Sequence, residues 1–149
     1  MILLPIYTAY RDASNRTAYA DTLRALTRTR RPVVITEFGC ATYRGAADAG
    51  GLAWTAAERG VEPRRLREGI LRDEAAQAQE LADLLATAKS SGIDGAFIYT
   101  YVMPSYPSSR ESAKDLDTAS YALVRSWPDG RTEPKAAYHT VAHMYCRCS

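Results

Sequence analysis

A chain of 149 residues is long enough for one domain burying roughly 70% of its unfolded surface, and nothing in its composition argues for two. Hydrophobic residues at 46% and charged residues at 24% are ordinary for a globular chain, and a net charge of +2 is too small to point to nucleic acid or an anionic membrane. No apolar run approaches the ~20 residues that span a bilayer, and residues 1–6 (MILLPI) are too short, and too soon interrupted by Pro5, for a signal peptide.

The three cysteines, Cys40, Cys146 and Cys148, form no disulfide framework, which agrees with a reducing compartment and predicts a cytoplasmic chain. The arginine clusters at Arg28, Arg30 and Arg31, and at Arg64, Arg65 and Arg67, read as solvated faces, because no aromatic residues interleave with them.

In chain order, residues 2–7 (ILLPIY) predict a short strand, with Pro5 tolerated near an edge or strand end. Ser14 or Asn15 is placed to cap a helix whose Tyr19, Leu23 and Leu26 fall at helical spacing, and Pro32 ends it. PVVIT (32–36) is a β-branched run without alternation, the pattern of a parallel strand covered on both faces. Glycines at 39, 45, 50, 51 and 60 predict a long loop over 39–63, with one helical turn near Trp54.

Residues 66–91 predict the clearest helix, on a stripe of Leu71, Ala75, Ala78, Leu81, Ala82, Leu85 and Ala88, with Gly92 as its C-terminal cap. AFIYTYV (96–102) predicts a third strand, residues 103–120 a second polar loop, and residues 132–145 a closing helix. Strands alternating with amphipathic helices build βαβ units and a parallel sheet. Both long loops follow strands, so they lie at the strands' C-terminal ends, where barrel enzymes build their chemistry.

The most specific feature is VVITEFG (33–39). It places the Glu37 carboxylate at the end of a buried strand, as a retaining glycosidase requires of the group that attacks the anomeric carbon. Read from spacing alone, Glu37 is equally a strand-end glutamate paired with an arginine such as Arg44. Phe97, Tyr99 and Tyr101 alternate along the third strand and share one face, where aromatic rings either stack on sugars or fill a core.

Two other patterns carry no site. His139 and His143 are four apart on a helix, with Cys146 and Cys148 close behind. The residue after His139 is Thr140, though, not the water-activating glutamate, so no metal is expected. Cys40 has no histidine or asparagine nearby and reads as a small core residue.

ITEFG (35–39) resembles the end of strand seven in clan A glycoside hydrolases, whose nucleophile is a strand-seven glutamate. YRDASNRTAYADTLRAL (10–26) resembles the strand-six end and helix six of a bacterial barrel family, some of whose members carry an abortive-infection label. EFGCATYRGAADAGG (37–51) is similar to its loop seven, GIDGAFIYTYVMP (92–104) to its strand eight, and DLDTASYALVR (115–125) and EPKAAYHTVA (133–142) to its closing segment.

The resemblance implies an α/β fold, a partial (β/α)₈ TIM barrel of about three βα units with parallel strands, from strand six to helix eight. It implies retaining hydrolysis of O-glycosidic bonds, with Glu37 as nucleophile and no cofactor. Tyr10 falls near the strand-six position from which clan members hydrogen-bond the nucleophile. Tyr43, Arg44 and Trp54 fall in loop seven, where they could line a sugar subsite with Tyr99 and Tyr101.

The clan's general acid/base is a glutamate following an asparagine at the end of strand four, and no Asn-Glu pair occurs in this chain. The chain alone is therefore expected to be inactive, its partner a carbohydrate and either further copies of itself or a complementing barrel fragment. The alternative is a non-catalytic remnant that binds sugar or another protein.

Overall fold

The computed structural model describes the backbone of residues 1–5 and 13–146, and the side chains of Met1 and residues 17–146. The elements are β1 (Ile2–Pro5), α1 (Ala13–Thr27), β2 (Val33–Phe38), α2 (Ala46–Ala49), α3 (Glu74–Ser90), β3 (Gly95–Ile98), β4 (Val124–Ser126), β5 (Thr132–Pro134) and α4 (Ala136–Cys146), with 3-10 turns at Gly50–Ala56, Ser112–Lys114 and Leu116–Ala119. The fold is mixed α/β. No described helix is long and apolar enough to cross a membrane.

The first three strands form one parallel sheet in the order β1-β2-β3. Val33, Ile35 and Phe38 are buried, whereas Val34 and Thr36 are only half-buried. So β2 is covered well on one face rather than on both. The pairing Val34↔Gly95 puts Val34 on the face that also carries Phe97, by the two-residue period of a strand, and Phe97 is 63% exposed. The register slips between Leu4 and Pro5 on one side of β2 and between Ile35 and Phe38 on the other. Both slips fall at the level of Glu37, and such irregularities re-aim side chains at the end of a strand.

α1 starts at Ala13, so Ser14 and Asn15 lie within its first turn rather than before it. Tyr19 and Leu23 are buried as its spacing predicts. α3 is shorter than the apolar stripe suggests, beginning at Glu74 rather than residue 66. Long-range backbone bonds hold the preceding residues extended: Leu66 N–H donates to Ala113 O at 2.7 Å, Arg67 N–H to Ala56 O at 2.8 Å, and Asp73 N–H to Thr42 O at 2.9 Å. The Asp73 side chain then accepts from Ala76 N–H and caps the helix. Leu71 consequently lies off the helix and is 58% exposed, while Gln77 and Glu80 join Ala78, Leu81, Leu84, Leu85 and Ala88 on the buried side.

The C-terminal cap of α3 is as predicted. Gly92 sits at φ +76°, and the bonds Gly92 N–H to Lys89 O and Ile93 N–H to Ala88 O are the paired bonds of a Schellman turn.

β3 ends at Ile98 rather than running to Val102. The backbone beyond it changes partners: Leu123 N–H donates to Thr100 O and Val124 N–H to Tyr101 O, both at 2.9 Å, so residues 100–102 run beside 121–124 instead of β2. The predicted helix over 132–145 gives up its first four residues, three of which form β5, the antiparallel partner of β4.

The polar loop predicted over 103–120 is half core. Residues 115–124 are all buried, because an ionic cluster satisfies their polar groups. Asp117 accepts from Arg72 at 2.9 Å and lies 3.4 Å from the Lys135 ammonium, itself fully buried. Asp115 pairs with Arg72 at 3.0 Å, and Glu74 with Arg72 and Arg125. Lys135 also donates to Thr42 Oγ1 at 2.7 Å.

Three cations thus meet three carboxylates, and the cluster ties the loop after β2, the start of α3, the loop after β3 and the entry to α4. Burial works against the Arg72 guanidinium, but Asp117 and Glu74 hold its pKa above the ordinary arginine value. Glu74 is likewise held below the usual carboxylate range despite burial, by the Ala136 N–H and Arg72.

Candidate active site

β2 is the central strand, and Glu37 stands one residue from its C-terminal end with its side chain exposed rather than packed into the core. A cleft of about 340 Å³ opens beside it, lined by Glu37, Gly51, Trp54, Tyr99 and Tyr121. Each wall comes from a different segment: β2, the 3-10 turn Gly50–Ala56, the residue after β3, and the buried run 115–124. Three of the predicted site residues, Glu37, Trp54 and Tyr99, thus meet in one place.

Tyr121, which the sequence reading did not single out, holds the cleft together. Its ring centroid lies 6.3 Å from that of Tyr99, and its hydroxyl donates to Gly50 O at 2.7 Å, fixing the glycine pair at the start of the 3-10 turn. Burial pushes its phenol well above the usual tyrosine range, so it stays a donor at neutral pH. No local signal marks Tyr121, because only the return of the chain beside residues 100–102 carries it to the sheet's C-terminal edge.

The other predicted residues lie elsewhere. Tyr43 is buried, and its backbone bridges Arg72, so it packs in the core rather than lining the cleft. Arg44 is exposed and sits 3.5 Å from Asp73, not beside Glu37. Tyr101 lies beyond the end of β3, is 61% exposed, and meets the Tyr138 ring of α4 edge-on at 6.4 Å. Tyr10 lies outside the described residues.

Among the described residues, Glu37 is the only carboxylate in the cleft lining. Asp94 is at the far end of the sheet, where its carboxylate accepts from Val33 N–H at 2.8 Å, and Glu111 pairs with Lys114 on the surface.

A larger cavity, about 540 Å³, opens between α3 and α4 beside the start of β3, lined by Leu85, Ile93, Ala96 and Met144 among others. It is mainly apolar, lies at the N-terminal end of the strands, and brings no pair of acids together. Of the two, only the smaller cleft lies at the C-terminal ends of the strands.

Cys40 is buried, and its surroundings push the thiol up to about 12, chiefly through burial and secondarily through Glu80. It is a core residue rather than a nucleophile. His139 is exposed against the Tyr138 ring, and among the described residues no group of three His, Cys, Asp or Glu side chains is placed to hold a metal ion.

No protein-family model and no curated protein matches this chain.

Proposed function

We propose that this chain is the nucleophile-bearing part of a (β/α)₈ barrel that hydrolyses O-glycosidic bonds with retention. The observation that carries the reading is the position of Glu37, at the C-terminal end of the central parallel strand and in a cleft walled by Trp54, Tyr99 and Tyr121. A carboxylate fixed on a rigid strand suits attack on an anomeric carbon, and aromatic faces suit the apolar faces of a sugar ring.

In the reaction, Glu37 forms a bond to the anomeric carbon as the bond to the leaving oxygen breaks. That oxygen takes its proton from a second carboxylic acid, roughly 5–5.5 Å away in retaining enzymes, which then deprotonates the water that releases the sugar. The cleft lining contains no such second acid among the described residues, so the rest of the barrel supplies it, from a longer polypeptide, a complementing fragment or a further copy. A cytoplasmic setting accompanies this reading.

The test is made on the completed barrel. An activated 2-fluoroglycoside should label Glu37, and Glu37→Gln should abolish turnover while leaving sugar binding largely intact. Label found on Asp48, Asp94 or Glu111 instead would refute the assignment.

The same lack of a second acid favours one other reading, a non-catalytic module that binds carbohydrate or protein through this cleft. A completed barrel that binds oligosaccharide but turns none over would support it.

A further inference from the structure

We propose that the glycan taken by this cleft carries an anionic substituent, read by Arg59; the inference rests on the carbohydrate reading of the Glu37 cleft. The Arg59 guanidinium carbon lies 4.0 Å from the centroid of the Trp54 ring, and Trp54 is itself a wall of the cleft. The cation therefore stacks on a ring that also walls the cleft beside Glu37. Arg59 is exposed, and it makes no ion pair or side-chain hydrogen bond among the described residues.

A depression of about 500 Å³ adjoins it, lined by Glu58, Arg59, Val61, Arg65 and Arg67. Glu58 is already neutralised by Arg65 at 2.7 Å, and neither Arg59 nor Arg67 has an ion-pair partner within 4 Å among the described residues. A neutral sugar gives these charges nothing to pair with. A carboxylate or sulfate on the glycan would meet a guanidinium whose position is held by the indole, so that little side-chain freedom is lost on binding. The cations also offset the repulsion an anionic ligand feels from Glu37 itself.

The experiment is titration calorimetry on the full chain, with tetrasaccharides of polygalacturonate, alginate and hyaluronate, each beside its carboxyl-reduced neutral form. A sulfated carrageenan tetrasaccharide and inorganic sulfate complete the set. At least one acidic tetrasaccharide should bind about tenfold or more tighter than its neutral form, as loss of a charge-assisted hydrogen bond implies. Arg59→Ala should bring the acidic form's affinity down to that of its neutral form, and Trp54→Ala should weaken both.

Carrageenan alone binding through Arg59 would identify the substituent as sulfate and support the proposal. Equal affinity for acidic and neutral forms would overturn the proposal while the carbohydrate reading stands. Inorganic sulfate binding as tightly as any tetrasaccharide, through Arg59, would overturn both. No binding by any probe would overturn the proposal, and labelling of Glu37 in the completed barrel would then decide the carbohydrate reading separately.

Discussion

Gly39 and Tyr99 press backbone against backbone across the sheet's C-terminal edge: a β-carbon on Gly39 would collide with the Tyr99 carbonyl oxygen and sit 3.1 Å from the Tyr121 ring. The Tyr99 N–H also donates to Phe38 O at 2.8 Å, so Glu37's neighbour is locked to the residue that walls the cleft. The absence of a side chain at position 39 is therefore what lets Glu37 and Tyr99 share one cavity.

Gly39→Ala is expected to push the Tyr99 backbone away, because the colliding atom belongs to the main chain and has no alternative rotamer. Overpacking of this kind costs about 1–3 kcal/mol, or several degrees of Tm in a chain of this size. Ligand binding at the Glu37 cleft should fall with it. An unchanged melt and unchanged sugar affinity would show that the contact is soft.

Lys135 gives a pH dependence with a definite sign. Burial pulls its pKa from 10.5 down to about 8, partly offset by Asp117. Below pH 8 the lysine is charged in both states, and the folded chain carries the full cost of burying the charge. Between about 8 and 10.5 the unfolded chain holds a proton that the folded chain has released, so stability rises with pH. Cys40 works the other way above 9, since its thiol is held at about 12 and its contribution is lost on further alkalinisation. The clean window is pH 8 to 9. There the wild-type Tm should gain on that of Lys135→Met, and curves that stay parallel would refute the shift. If the variant does not fold, NMR titration of the Lys135 ammonium in the wild type, with a midpoint near 8, serves the same purpose.

The 149-residue chain by itself should show no glycosidase activity. Losing protonation of the leaving group typically costs 10²–10⁴-fold. A screen with aryl glycosides that finds turnover comparable to intact barrels, lost in Glu37→Gln, would mean that a second carboxylate such as Asp48 had been recruited.

Assembly is the fourth prediction. Among the described residues β1 and β3 pair with β2 alone, which leaves their outer edges open to another strand, and beside β3 the Phe97 side chain is 63% exposed. Tyr145 covers part of that edge by donating its hydroxyl to Ala96 O at 2.8 Å. Open parallel edges and exposed aromatics are templates for association. Light scattering at micromolar concentration should report a dimer or larger species. A well-behaved monomer with a cooperative melt would show that the loops protect the edges sufficiently.

Much of this architecture could be read from the residues in order. Alternation of β-branched runs with alanine- and leucine-rich stripes is a local signal, and it predicted the parallel strands and the three longer helices, though not their bounds, and the C-terminal cap at Gly92. Glu37 at a strand end, Trp54 in a helical turn and Cys40 in the core were legible for the same reason: each depends on a few neighbouring residues. The hairpin of β4 and β5 was missed, although the Pro128-Asp129-Gly130 turn carries a local signal for it.

What the tertiary structure alone decided are the contacts between residues far apart in sequence. A lysine, two arginines and three carboxylates in polar stretches look like surface, and only their convergence around Arg72 and Asp117 allows residues 115–124 to be buried. That buried run is what carries Tyr121 to the cleft, while the backbone bridge to Arg72 keeps Tyr43 in the core. Local periodicity encodes which face of an element is apolar. It does not encode which distant charge will neutralise a buried one, and here that choice shapes the cleft.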